Sequence, residues 1–270
     1  MLAIIDGDPM LHLACRKRWN APTGTEFVKL DEKGVREPTE FTKKQDEQYL
    51  MKSYKNFHKD LQEVLDKTWS NDYVMAFGHA NDNFRLDMYP EYKSNRRTEA
   101  AKKHQNPFVP ILKDLVLNEG LGVRSPYREA DDMVGIWATQ AEQEGIPFVV
   151  CTVDKDLKCI PGKYYNVKNK ELETITPLFA MRHYYGQLLQ GDPTDYIPGI
   201  PGLGPKTAMG LMASCNTPEE CQEIVVSHYI SYYDEAWEDF LLANGKLIHI
   251  QRHWNDYFTL KNWPLVQELR

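Results

Sequence analysis

No apolar run in the chain approaches the roughly 20 residues that a membrane-spanning helix needs. A basic leader is missing too. "MLAIIDGDPM" reaches Asp6 after five residues, so the start reads as a first strand and not as a secretory signal. Paired cysteine motifs are absent: Cys15, Cys151, Cys159, Cys215 and Cys221 form no CxxC and no Cys/His zinc spacing. Cys151, inside "PFVVCTV", reads as a small core residue. An odd cysteine count without a leader predicts a reducing, cytoplasmic setting. The eight histidines show neither HxH nor HExxH, which leaves them structural or superficial. Positive charge is also short, with 32 Lys and Arg against 39 Asp and Glu. Summed over the chain, that balance argues against a phosphate-binding surface.

Locally the balance reverses. "RLDMYPEYKSNRRTEAAKKH", from Arg85 to His104, holds six Lys or Arg against three Asp or Glu. If many acids gather in one metal site, the remaining surface is less acidic than the sum suggests. The 270 residues suffice for one large domain or for a domain with a helical appendage.

Short apolar runs alternate with helical patterns. "LAIID", Tyr73–Phe77, Pro147–Val153 and Lys163–Val167 read as strands. Thr42–Trp69 carries Leu50, Tyr54, Phe57, Leu61, Val64 and Leu65 at helical spacing, and Met133–Ala141 is a second helix. The segment Ala21–Asp46 reads as a polar excursion or hairpin around "FVKLDEKGVRE". After Gly186 the pattern is helical and rich in aromatics. Tyr184, Tyr185, Tyr229, Tyr232, Tyr233 and Trp237 read as core. Alternating strands and helices predict a mainly parallel sheet with helices on both faces. Sites in such sheets lie outside the carboxyl ends of the strands.

The acids fall at those ends. Asp6 follows the first strand, and Asp154 and Asp156 follow "PFVVCTV". Glu129, Asp131 and Asp132 crowd three carboxylates into the opening of the Met133 helix. Acids in a first turn suit the helix dipole, but together these groups can converge on one sheet edge. Further on, "GDPTDYIPGIPGLGPKTAMG" resembles a P-loop, yet Pro205 separates Gly204 from Lys206. The spacing suits a helical hairpin turn. Gly199, Gly202 and Gly204 let backbone N–H groups approach a phosphate, Pro205 starts a helix, and Lys206 and Thr207 follow.

Taken in order, "IIDGD", "FRLDMYPEYKSNRR", "READD", "TVDKDL" and "GDPTDYIPGIPGLGPKTA" resemble the 5′-nuclease family. That family includes flap endonucleases, stand-alone phage 5′–3′ exonucleases and the 5′-nuclease domain of bacterial DNA polymerase I. The motifs cover roughly Met1–Leu211. The resemblance implies a PIN-like α/β core over 1–185, with an arch or clamp in 85–120. It implies a helix–three-turn–helix element and a helical region over 186–270. It also implies two metals. The first group would be Asp6, Glu129, Asp131 and Asp132; the second Asp154, Asp156, Asp192 and Asp195. Lys93 with Arg96 or Arg97 would contact the scissile phosphate, and the Gly199–Lys206 turn would hold duplex backbone, with a potassium ion. Tyr92, beside Lys93, is the stacking candidate. One position departs. The family places an Asp after the second strand, where this chain has Phe77-Gly78, with Asp82 four residues on. Water or Asp8 would then complete the first group.

The residue types suit that chemistry on their own account. Phosphodiester hydrolysis needs a hydroxide and stabilisation of the leaving oxygen, and two Mg²⁺ ions roughly 3.5–4 Å apart supply both. Mn²⁺ takes the same oxygen ligands. The expected activity is hydrolysis near 5′ ends of DNA or of RNA–DNA hybrid by a monomer, in the host cytoplasm for a phage enzyme. Two other readings use the same acids: a PIN-type ribonuclease, and a structure-specific DNA-binding protein with a weakened site. The glycine turn and "PEYKSNRR" discriminate against the first, and the eight acids against the second.

Overall fold

The computed structural model describes residues 1–16, 40–79, 82–98 and 106–270. Its centre is β1 (Leu2–Asp6), where successive side chains face opposite ways. Ala3 and Ile5 enter one core and Ile4 the other. β1 pairs in parallel with β2 (Asp72–Phe77) on one side and β4 (Phe148–Thr152) on the other, with Ile4 opposite both Val74 and Val150. The sheet is completed by β3 (Val123–Arg124), β5 (Gly162–Asn166) and β6 (Glu171–Ile175), in the order β3-β2-β1-β4-β5-β6. Only β6 runs antiparallel, as an edge. The chain winds outward from β1 to β3 and then crosses back to β4. Strand order therefore reverses between β1 and β4, the place where such sheets bind ligands.

Helices α1 (Gly7–Arg16), α2 (Glu40–Thr68), α4 (Phe108–Asn118) and α5 (Ala130–Gln143) pack on this sheet, while α3 (Phe84–Met88) places Leu86 in a separate cluster with Tyr92, Ile197 and Leu247. Met10 and Leu11 of α1, Phe57 and Leu61 of α2, and Leu112 and Val116 of α4 pack on one face. Val134 and Ala138 of α5 cover the other with Ile4 and Val150. A mainly parallel sheet with helices on both faces is thus present. A second apolar core joins α6 (Pro177–Gln190), α7 (Pro205–Met212), α8 (Pro218–Tyr233), α9 (Trp237–Ile248) and α10 (Pro264–Leu269). α6 serves both. Ala180 packs with the sheet core, while Tyr185, Leu188 and Leu189 enter the helical one. A boundary between 185 and 186 falls within this continuous helix.

Several expectations change in detail. Helix α2 begins at Glu40, so the end of the polar excursion Ala21–Asp46 is helical. The hairpin "FVKLDEKGVRE" lies outside the described residues, as do 99–105 of the proposed arch. The later part of 85–120 is helix α4, packed on the sheet. Leu112 and Val116 are fully buried because α4 carries an apolar stripe that the sheet needs covered. α5 starts at Ala130, ahead of its first predicted residue, because Glu129 and Asp132 form a reciprocal capping box. β3 has two residues, and β6 is polar and mostly exposed. Neither offers the alternation by which a strand is recognised.

Candidate metal centre

The switch point delivers the first acids. Asp6 ends β1 and is buried; Thr152 ends β4 beside it. Thr152 Oγ1 donates to Asp6 Oδ2 at 2.8 Å and accepts from Asp154 N at 3.0 Å. Asp154 Oδ1 in turn accepts from Asp156 N at 2.8 Å, and the Tyr164 hydroxyl donates to Asp154 O. One run of hydrogen bonds therefore fixes the loop after β4 and three carboxylates on it or beside it.

The second source is the start of α5. Glu129 is its N-cap, and Asp131 and Asp132 fill its first turn. Adjacent helical residues face different ways, and these two separate. Asp131 joins the cleft, whereas Asp132 turns inward and is fully buried. There Asp132 meets Arg85 through both oxygens, at 2.7 and 2.9 Å, and accepts from Gln251 N and Glu129 N at 3.1 Å. Asp132 is thus not among the acids brought to the cleft, because it is fully enclosed, with Arg85 and two backbone amides on its oxygens.

The third source is the turn after α6. Asp192 bridges to Ile197 through both backbone groups, and its Oδ1 accepts from Thr194 N at 2.7 Å. Gly191 and Gly199 close the neck of this turn in left-handed conformations. A Cβ on Gly199 would lie 2.3 Å from Gly191 N. Gly199 is therefore needed for backbone closure and is buried, not presented to a phosphate. Gly202 and Gly204 are open, and Lys206 and Thr207 are exposed in the first turn of α7.

Glu129, Asp131, Asp154, Asp156, Asp192 and Asp195 line one cleft together with Lys93. Burial and mutual repulsion dominate its electrostatics. Burial, then Asp8 and Asp154, lift the Asp6 carboxyl to about 8. Burial, then Asp6 and Asp154, push Asp131 well above the ordinary carboxylate range. Burial with Asp154 and Asp192 raises Asp156 to about 7. Glu129 goes the other way. Burial alone would raise it, but Lys93 and Arg85 pull it down to about 2.

Lys93 and Arg85 are the cations lining the cleft, and Lys93 is the more exposed of the two. Its Nζ lies 2.5 Å from Glu129 Oε1 and 3.2 Å from Asp195 Oδ2. Its backbone is left-handed, as is that of Tyr127 beside the Glu129 helix and Tyr196 next to Asp195. Such strain gathers where a structure holds a site in one geometry. Arg96 pairs with Asp195, whereas Arg97 donates to the Pro90 carbonyl and contacts no acid of the cleft. Tyr92 is no stacking platform. It is buried, and its hydroxyl donates to Glu129 Oε2 at 2.8 Å.

Among the described residues, no three His, Cys, Asp or Glu side chains stand close enough together to hold a metal ion as placed. The donor chemistry nevertheless fits a hard divalent cation. The groups are carboxylates, Asp6 is buried and the others are partly so, and they repel one another until a cation joins them. The Lys93 ammonium between Glu129 and Asp195 is such a cation. Thr152, Arg85 and Lys113 escaped the sequence reading. Thr152 is an ordinary strand residue by pattern. Arg85 lay within a basic segment read as an arch that meets phosphate, and nothing in it pointed to a buried ion pair. Nothing in sequence tied Lys113 to Asp8 or Gly78.

Residues 35–185 match the family model for the 5′–3′ exonuclease, N-terminal resolvase-like domain. The chain is 37% identical over 152 residues to DNA polymerase I of Mycobacterium tuberculosis, covering 51% of this chain and 17% of that protein. It is 31% identical over 168 residues to a 5′–3′ exonuclease of Buchnera aphidicola, covering 57% of each. These matches thus span under a fifth of the polymerase and little more than half of the exonuclease. In fold, it is similar to the T5 D15 protein co-crystallised with metal ions, with a TM-score of 0.63 at 15% identity over 93% of this chain and 89% of that one. With the family model spanning more than half of its length, and a sheet whose switch point gathers the acids, the chain belongs to the 5′–3′ exonuclease family.

Proposed function

We propose that this chain is a metal-dependent 5′ nuclease, acting as a 5′–3′ exonuclease and flap endonuclease on DNA and on RNA–DNA hybrid. The observation that carries this reading is the convergence of carboxylates from β1, the loop after β4, the start of α5 and the turn after α6. Asp6, Glu129 and Asp131 would form one group of ligands, and Asp154, Asp156, Asp192 and Asp195 the other. Mg²⁺ or Mn²⁺ bound there would lower the pKa of a water and offset charge on the leaving oxygen.

The rest falls to the protein. Lys93 and Arg96 border the same cleft and would meet the scissile phosphate. Their present partners, Glu129 and Asp195, are carboxylates that a divalent ion would engage. The first turn of α7, with Gly202, Gly204, Lys206 and Thr207, presents open backbone and one ammonium to duplex phosphates. With α6 it forms the proposed helix–three-turn–helix element, where a potassium ion would sit. A monomer suffices, since the carboxylates proposed as ligands all come from one chain and six of them line one cleft. No described helix is long and apolar enough to cross a membrane, and the proposed setting is the cytoplasm, that of the host for a phage enzyme.

The test is cleavage of 5′-labelled duplex and flap DNA with Mg²⁺ and then with excess chelator. Release of labelled nucleotides or short oligonucleotides only with the metal is expected. Full cleavage in chelator would sink the metal mechanism, and cleavage of RNA alone would favour a PIN-type ribonuclease.

A further inference from the structure

Strands β1 and β4 each lead to a carboxylate at the site. Strand β2, next to β1, ends at Phe77-Gly78 and supplies none. A carboxylate fills the space beside Gly78 all the same. Asp8, in the first turn of α1, accepts from Gly78 N through Oδ2 at 2.8 Å. Its Oδ1 accepts from Lys113 Nζ at 2.8 Å, and Lys113 Nζ also donates to Gly78 O at 2.5 Å. A Cβ built on Gly78 would lie 3.1 Å from Asp8 Oδ2, 3.4 Å from Ala130 N and 4.0 Å from Glu129 Cα. A side chain at 78 and the Asp8 carboxylate therefore crowd one place, and the carboxylate would have to give by a few tenths of an ångström to admit it. That place borders the start of α5, which carries Glu129 and Asp131. The backbone at Gly78 is not left-handed, so nothing in its conformation requires glycine. The Asp8 carboxylate is what a side chain there would meet first.

We propose that Asp8 is the carboxylate of the first metal group that β2 does not supply, delivered from α1 and balanced by Lys113 from α4 when no metal is bound. This rests on the metal-dependent reading above. The plain alternative is that Asp8 serves only the helix dipole and a surface ion pair, and it is half-exposed enough for that. The two differ in what they predict for metal binding. A group that orients or joins a metal site changes affinity by about 10–100-fold when removed. A surface pair changes it little.

The experiment is Mn²⁺ binding to the DNA-free protein by calorimetry and by electron paramagnetic resonance of free Mn²⁺. The variants are Asp8→Asn, Asp8→Ser, Lys113→Met and the double variant Asp8→Ser with Gly78→Asp. Thermal melts in chelator check folding. Asp8→Asn and Asp8→Ser are expected to weaken Mn²⁺ binding about tenfold or more. Lys113→Met should bind at least as tightly as wild type, because a competing cation is gone. The double variant returns the carboxylate to the end of β2 and should recover most of the lost affinity. Unchanged binding in folded Asp8→Asn, or a double variant no better than Asp8→Ser, would overturn the inference while leaving the metal reading intact. No Mn²⁺ binding by the wild type would overturn both.

Discussion

Lys93 and Asp195 meet twice across the cleft: side chain to side chain at 3.2 Å, and Lys93 N to Asp195 O at 3.1 Å. The backbone contact fixes where the lysine stands, and the ammonium then spans from Asp195 to Glu129. A cation so placed serves the acids when nothing else does, and is free for a phosphate when something else does.

Lys93→Ala should therefore lower the single-turnover cleavage rate about 10²–10³-fold, the usual cost of removing a donor aimed at growing charge. Duplex affinity should change far less, because the contact strengthens in the transition state. Single-turnover kinetics with a binding titration separate the two. A wild-type rate with weaker binding would reduce Lys93 to a plain electrostatic contact.

Asp154→Asn should abolish turnover, by about 10³-fold or more, while duplex binding survives. An asparagine Oδ1 can still accept from Asp156 N, so the loop keeps its hydrogen bond. Cleavage at a wild-type rate in this variant would exclude Asp154 from the chemistry.

Arg85→Met should cost about 3–5 kcal/mol of stability, since it leaves the Asp132 charge buried without its partner. Arg85 also donates to Leu247 O at 2.9 Å and to His249 O at 2.6 Å, tying α9 and the segment after it to the sheet core. Urea unfolding measures the loss. A change under about 1 kcal/mol, typical of an exposed pair, would show that the pair does not hold the two parts together.

The glycines of the turn should divide. Gly204 is extended and open, so Gly204→Val should fold normally and weaken duplex binding. Gly199→Val should not fold well, because its Cβ would collide with the Gly191 backbone. Gly202 is left-handed, so a side chain there is strained whatever it contacts and makes a poor probe of binding. Equal melting temperatures for the Gly199 and Gly204 variants would contradict this division.

Divalent metal should raise the melting temperature. The crowded, partly buried carboxylates repel one another until cations bind, and a ligand at 100 times its Kd adds about 2.7 kcal/mol. Differential scanning fluorimetry in chelator, Mg²⁺ and Mn²⁺ tests this. A melting curve indifferent to all three would mean that the folded cleft does not take up metal.

Helices α2 and α5 and four of the six strands were legible in the sequence, because each buries a periodic apolar face; α1 and α4 were not delimited. Ala3 and Ile5 alternate with Ile4, and Phe57, Leu61 and Val64 keep helical spacing. The acids at strand ends were legible for the same reason, since position along a strand follows from the pattern that defines it. Which acids face one another was not. Asp131 and Asp132 are chemically alike and adjacent in sequence. Only the packing of Arg85, from a segment 47 residues away, sends Asp132 inward and leaves Asp131 in the cleft. Tyr92 beside Lys93 looked like a stacking surface until Glu129 buried its hydroxyl. Gly78 looked like a missing ligand, and Asp8 stands 70 residues away from it along the chain. Local periodicity decides what a segment becomes, because burial acts on one face at a time. The partner of a charge is decided by tertiary contact alone, because a carboxylate meets whatever cation, amide or carboxylate the closed fold brings to its oxygens.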